Sequence, residues 1–182
     1  MDFASRGQIM FPVQGYTISN HFGVKNDRYK AGYHTGIDIK APAGTPVVSV
    51  RPCKVVEVSN YPSWGESYGT AVIVEFRNGL RGIYAHLSKT TVIKGQDLAE
   101  GAMLGKVGTT GNSTGNHLHF ELRESPFKYD DHLDPTDLIL LTNEDKEIAK
   151  KATAKKVANA KSPGKPKLAN TKATRTDSSP SV

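Results

Sequence analysis

From Phe11 to about Leu122 the chain reads as short β-branched or alternating runs, among them Val47-Val48-Ser49-Val50, Val55-Val56-Glu57-Val58, Ala71-Val72-Ile73-Val74-Glu75-Phe76 and Gly82-Ile83-Tyr84-Ala85. Runs of this length with a two-residue period predict strands that bury one face. Turn signals separate them: Pro42-Ala43-Gly44, Asn60-Tyr61-Pro62, Asn78-Gly79 and Gly108-Thr109-Thr110-Gly111-Asn112. Asn78-Gly79 lies between two strand-like runs and predicts a two-residue hairpin. Strands at this spacing make a sheet, sandwich or barrel, so the expected class is all-β, a compact antiparallel sheet or sandwich. Asp134-Pro135 opens a short apolar segment, Leu138 to Leu141, expected to pack a last turn against the sheet.

The pattern stops near Asn143. Residues 1–143 are expected to form one domain, and 144–182 a Lys/Ala/Pro-rich disordered tail. With 182 residues the chain has room for one domain of ordinary size and an appendage. The formal charge of +6 divides unevenly: residues 145–182 hold ten Lys/Arg against three acids, leaving fourteen and fifteen for residues 1–144. The body is therefore near neutral and the tail basic. A Lys-rich arm without interleaved aromatics predicts salt-sensitive attachment to a polyanion, for which anionic wall polymers and nucleic acid compete, and no specific nucleic-acid recognition. A plain solvated linker is the competing reading.

A single cysteine, Cys53, excludes an internal disulfide and a Cys-rich zinc site, and in a valine-rich run it reads as a small buried apolar residue. Any metal must be held by His and carboxylate. Met1 to Gly15 carries no basic segment followed by an apolar stretch of signal-peptide length, and no run approaches the roughly 18 apolar residues of a membrane span. The expectation is a monomer without its own export signal and without a membrane span.

Four of the six histidines sit where spacing has chemical meaning: His34 with Asp38, His86 in Tyr84-Ala85-His86, and the pair His117-Leu118-His119. On a strand His34 and Asp38 share one face and so do His117 and His119, while Ile37, Ile39, Leu118 and Phe120 point the other way. Four residues of ideal strand span about 13 Å, nearly too far for His34 and Asp38 to reach one ion at the ~2.0–2.2 Å bonds zinc demands, and Gly36 between them would permit a bend. Two neutral imidazoles and one carboxylate would leave a fourth zinc position open, as a catalytic site requires. His21 and His132 read as hydrogen-bonded structural residues. The glycine run Gly108 to Gly115 lacks the Lys-Ser/Thr ending of a phosphate loop and suits a substrate-lining loop, and Tyr61, Trp64 and Tyr68 are expected to line a peptide groove.

These motifs resemble the lysostaphin-type zinc endopeptidases, the LytM or M23 family of peptidoglycan hydrolases, over about Phe11 to Leu140. His34-Thr35-Gly36-Ile37-Asp38 is similar to the family's HxxxD metal motif, Tyr84-Ala85-His86-Leu87 to its YxHL segment, and Gly108 to Glu121, with His117-Leu118-His119, to its most distinctive stretch. The resemblance implies that His34, Asp38 and His119 bind Zn2+ and that His86 and His117 stand beside the metal as catalytic residues. It also implies a tyrosine upstream of the first ligand, with Tyr29 and Tyr33 as candidates. The function implied is hydrolysis of peptide bonds in peptidoglycan, stem or cross-bridge, at the bacterial cell wall, by a phage-type lysin freed at host lysis or carried in the virion. Two alternatives remain: a catalytically inactive LytM-like wall-binding or regulatory module, and a nucleic-acid-binding protein led by its tail.

Overall fold

The computed structural model describes residues 10–60 and 65–140. The basic segment 144–182, with the domain boundary drawn before it, and Tyr61, Trp64 and Leu141 lie outside the described residues. In chain order the strands are β1 (Ile37–Lys40), β2 (Pro46–Val48), β3 (Cys53–Ser59), β4 (Ala71–Phe76), β5 (Arg81–Ala85), β6 (Leu87–Thr90), β7 (Asp97–Leu98), β8 (Met103–Val107), β9 (His117–Arg123) and β10 (His132–Leu133), followed by the short helix α1 (Thr136–Leu140). The described residues are nearly all β, as the alternation predicts.

Two antiparallel sheets form. The larger runs β1-β9-β5-β4-β3-β7, with β10 also paired to β9, and the smaller runs β2-β8-β6. Their facing sides supply one core: Ile37, Ile39, Val72, Val74, Tyr84, Leu118, Phe120 and Leu122 from the large sheet meet Val47, Leu87, Leu104 and Val107 from the small one. Ile139 of α1 closes this core and is fully buried. The opposite face of the large sheet carries Ile73, Ile83 and Ala85 with Tyr68 against them, and this second face holds the histidines.

Register does the positioning. In the β1–β9 ladder Ile37 stands opposite Phe120 and Ile39 opposite Leu118, which leaves Asp38 opposite His119 on the other face. Each fully buried apolar side chain contributes about 1.5–3 kcal/mol, and a slip by one residue would turn all four of these into the polar face. The core pattern thus fixes where Asp38 and His119 meet.

Two expectations need correction. His34 is not on a strand with Asp38, because β1 begins only at Ile37 and the chain bends at Gly36. The bend was expected, but the need for glycine comes from close approach: a Cβ there would lie 2.4 Å from the Phe120 carbonyl oxygen. The Asn78-Gly79 hairpin does join β4 to β5, but its connection runs from residue 77 to 80, with the Gly79 N–H donating to the Phe76 carbonyl at 2.9 Å and Gly79 at φ 80°. Tyr68, expected to line a groove, does line the cleft over the histidines, held in a short 3-10 turn, Glu66–Tyr68, and only 6% exposed.

Candidate active site

Three donor atoms converge beside the ends of β1 and β9. Asp38 Oδ1 lies 3.1 Å from His34 Nε2 and 2.8 Å from His119 Nδ1, and the two imidazole nitrogens are 3.2 Å apart. Bonds of about 2.0–2.1 Å to a tetrahedral ion imply donor separations of about 3.3 Å, close to this triangle. Among the described residues His34, Asp38 and His119 are the group whose geometry could hold a metal ion.

Each ring is aimed by the hydrogen bond its other nitrogen makes, which also assigns the tautomer. His34 donates from Nδ1 to the His21 carbonyl at 2.9 Å and turns Nε2 inward. His119 does the reverse, donating from Nε2 to Glu121 Oε1 at 3.0 Å and presenting Nδ1. Asp38 keeps its second oxygen occupied by the Asn20 amide, which donates to Oδ2 at 3.2 Å. With an ion bound the set would be two neutral imidazoles and one carboxylate, all with lone pairs toward one point.

His117 and His86 stand on the open side. His117 donates from Nδ1 to the Gly115 carbonyl at 2.8 Å, and its Nε2 is 3.6 Å from Asp38 Oδ1. His86 donates from Nδ1 to the Thr110 carbonyl at 2.8 Å, and its ring is 4.7 Å from that of His117. Strict alternation after Tyr84 and Ala85 would send His86 into the core. Its backbone instead adopts φ 59°, the left-handed region that few non-glycine residues occupy, and this swings the ring to the site.

Electrostatics separate the rings. Burial, with the neighbouring His119 and His117, pushes the pKa of His86 down to about 4, so it is neutral and basic in form at ordinary pH. Burial alone would lower His119, but its hydrogen bonds to Asp38 and Glu121 and their charges outweigh this and raise it to about 9. Burial likewise works to raise Asp38, yet the His119 and His34 rings against it hold its carboxyl well below the usual carboxylate range. The field of the two carboxylates therefore favours positive charge where the three donors meet.

A cleft of about 540 Å³ opens over these groups, walled by Arg28, Tyr29 and Lys30 on one side and by Asn112, Ser113 and Thr114 of the glycine-rich loop on the other. A second hollow lined by Ser19, Asn20, Lys40 and Gly115 adjoins it and shares Asp38, Thr114 and His117 with it. The loop is shaped by Gly108 and Gly111, where a Cβ would fall 2.3 Å from the Ser88 nitrogen and 2.4 Å from that of Gly69. Of the upstream tyrosines, Tyr29 has its ring 5.2 Å from that of His34 and its hydroxyl bonded by Asn20, whereas Tyr33 reaches His132, its hydroxyl 3.2 Å from Nδ1. His132 and Cys53 are structural, as expected. The His132 side chain packs between Tyr33 and Tyr129, and Cys53 is buried beside the Ser49 hydroxyl. His21 contributes its carbonyl to His34, not its ring.

Sequence reasoning assigned no role to Glu121, Arg123, Thr35 or Asn20. Glu121 and Arg123 are both fully buried and paired at 2.8 Å. The signal was present: His117, His119, Glu121 and Arg123 are four successive polar residues at period two on a strand whose other face is apolar.

The model of Peptidase family M23 matches residues 32–135, which span all five site residues. The cell division protein DipM of Caulobacter vibrioides is 36% identical over 123 residues, covering 68% of this chain and 19% of DipM. The crystallised catalytic domain of lysostaphin from Staphylococcus simulans aligns with a TM-score of 0.65 at 29% identity, covering 73% of this chain and 98% of that domain. A zinc-containing peptidase from Vibrio cholerae aligns at 0.54 and 33% identity over 64% of this chain and 36% of its own. The chain thus spans about a fifth of the length of the first curated relatives it matches and nearly all of a solved catalytic domain. With the fold, the order of the motifs and the family model in agreement, the chain belongs to peptidase family M23.

Proposed function

We propose that this protein is a zinc metalloendopeptidase that hydrolyses peptide bonds of bacterial peptidoglycan. The observation that carries the reading is the triangle of His34 Nε2, Asp38 Oδ1 and His119 Nδ1, with edges of 2.8–3.2 Å, at the floor of an open cleft. Two imidazoles and a carboxylate suit zinc, and zinc so held supplies Lewis acidity that acidifies a water and polarises a carbonyl. Likeness to a zinc-containing peptidase supports the choice of ion.

The chain's own residues then have distinct work. His34, Asp38 and His119 would bind the ion and set its open side. His117 and His86 each turn Nε2 to that side, where one would accept a proton from the attacking water and, once protonated, stabilise charge on the peptide oxygen or pass that proton to the leaving amine. Tyr29, beside His34 and held by Asn20, is placed to donate its hydroxyl to the same oxygen. The reading as an inactive wall-binding module is not favoured, because all five positions are filled and face one cleft.

Two finer parts belong to this proposal. The ten Lys/Arg of residues 145–182 suit tethering to anionic wall polymers, and a phage-type lysin is the kind of wall hydrolase proposed. Deleting residues 145–182 is expected to leave turnover of soluble peptides unchanged and to weaken wall binding at low salt, as read by cosedimentation; unchanged affinity would remove the tether. For the activity itself, purified peptidoglycan is incubated with the protein, with chelator, and with zinc restored, and the fragments are weighed by mass spectrometry. New peptide termini that vanish with chelator and return with zinc are expected, whereas binding without cleavage would restore the inactive module.

A further inference from the structure

Behind His119 lies a buried charge arrangement that reaches both halves of the candidate metal triangle. Glu121 and Arg123 are each 0% exposed on a strand end that could have been apolar. Desolvating such a pair costs several kcal/mol per ion, and well-packed hydrophobic residues of similar volume are often as stable or more so. Its retention calls for a task other than stability.

The contacts of Glu121 show which. Its Oε1 accepts from His119 Nε2 at 3.0 Å, from the Tyr68 hydroxyl at 2.8 Å and from Thr35 Oγ1 at 2.5 Å. Its Oε2 accepts from Arg123 Nε and Nη2 at 3.1 and 2.8 Å, and Arg123 Nη2 also donates to the Tyr68 hydroxyl at 2.7 Å. Thr35 directly follows His34. One carboxylate oxygen therefore ties the ring of His119 on β9 to the non-strand segment that carries His34. The preceding loop also holds His34, whose N–H donates to the Val24 carbonyl at 2.9 Å and whose Nδ1 donates to the His21 carbonyl, but those bonds do not reach β9, and the Thr35–Glu121 bond does. Gly36 belongs to the same device, since a Cβ there would lie 2.9 Å from Glu121 Cγ as well as against the Phe120 carbonyl.

We propose that Glu121 is a positioning residue: it holds His119 with Nδ1 facing the ion and, through Thr35, fixes the distance between the two histidine ligands, while Arg123 and Tyr68 hold Glu121. The inference rests on the reading of His34, Asp38 and His119 as zinc ligands. It assigns Glu121 no contact with substrate. Partners that orient metal-binding histidines typically change metal affinity by 10–100-fold when removed, and Glu121 acts on both histidines.

The test uses the full chain as wild type, Glu121→Gln and Thr35→Val. Zinc affinity is measured by competition with a chromophoric chelator, and each protein is loaded with cobalt to record the visible bands that report ligand geometry. Glu121→Gln turns an amide toward either His119 or Arg123, and it is expected to weaken zinc binding by about 10–100-fold and shift the cobalt bands. Thr35→Val leaves the buried ion pair intact and is expected to weaken binding by about tenfold with a smaller shift of the same sense. If Glu121→Gln does not fold, Thr35→Val alone decides. Wild-type affinity with unchanged cobalt bands in the folded variants overturns the positioning role and leaves the zinc reading standing. Failure of the wild type to bind zinc overturns the ligand assignment itself.

Discussion

The two faces of β9 obey different rules. Leu118, Phe120 and Leu122 point into the core, where any side chain of the right volume serves and the cost of a change is measured in packing. His117, His119, Glu121 and Arg123 point the other way and make a chain of specific hydrogen bonds in which direction and protonation matter more than volume. Yet the first face governs the second, because the pairing of Phe120 with Ile37 and of Leu118 with Ile39 is what sets Asp38 opposite His119. In this strand the core acts as the ruler and the polar face as the instrument.

Changes at the histidines and Asp38 are expected to remove function while sparing the fold, and the largest effect falls on the ligands. His34→Ala or Asp38→Ala should lose zinc and wall-clearing activity together, with the far-UV spectrum retained; metal analysis beside a turbidity assay checks this. His117→Ala should keep its zinc and lose about 10²–10⁴-fold in rate, the usual worth of a positioned acid or base. An emptied site in that variant would erase the division between ligand and catalyst.

The core face should behave in the opposite way. Phe120→Ala is expected to cost about 3–5 kcal/mol of stability in a urea titration. Loss of activity without loss of stability would mean that Phe120 does more than hold register.

The smallest effect is one of pH. Since the folded pKa of His86 is lowered to about 4, the unfolded chain takes up this proton first as pH falls. Its contribution is full above about 6.5 and is lost as pH drops toward 4. His86→Asn should flatten the decline of the urea midpoint over that window, and an unchanged slope would show that other groups govern it.

Much of this comparison could be read from the sequence, because period-two alternation is a one-dimensional property. It marked β2 to β5, the two faces of β1 and β9, the shared side of His117 and His119, and the need for a bend at Gly36, but not β6, β7, β8 or β10. What it could not give depends on distant segments meeting. His34 lies off the strand, and its distance from His119 is settled by Thr35 reaching Glu121 across 86 residues of chain. His86 faces the cleft only because its backbone is left-handed, against the alternation that served elsewhere. Glu121 and Arg123 continue the period-two run of polar residues on β9, but only burial shows that these charges are enclosed. The choice between Tyr29 and Tyr33 likewise depended on which ring folds back over His34, a matter of loop path.

The central claim is that His34, Asp38 and His119 hold the ion while His117 and His86 do not. X-ray absorption at the zinc edge of the full-length, zinc-loaded protein tests it directly, since imidazole rings give a scattering pattern that carboxylate and water lack. The account predicts two imidazole nitrogens with oxygen ligands at ~2.0–2.2 Å, unchanged in His117→Ala. Three or more imidazoles in the wild type, or the loss of one in His117→Ala, would contradict it.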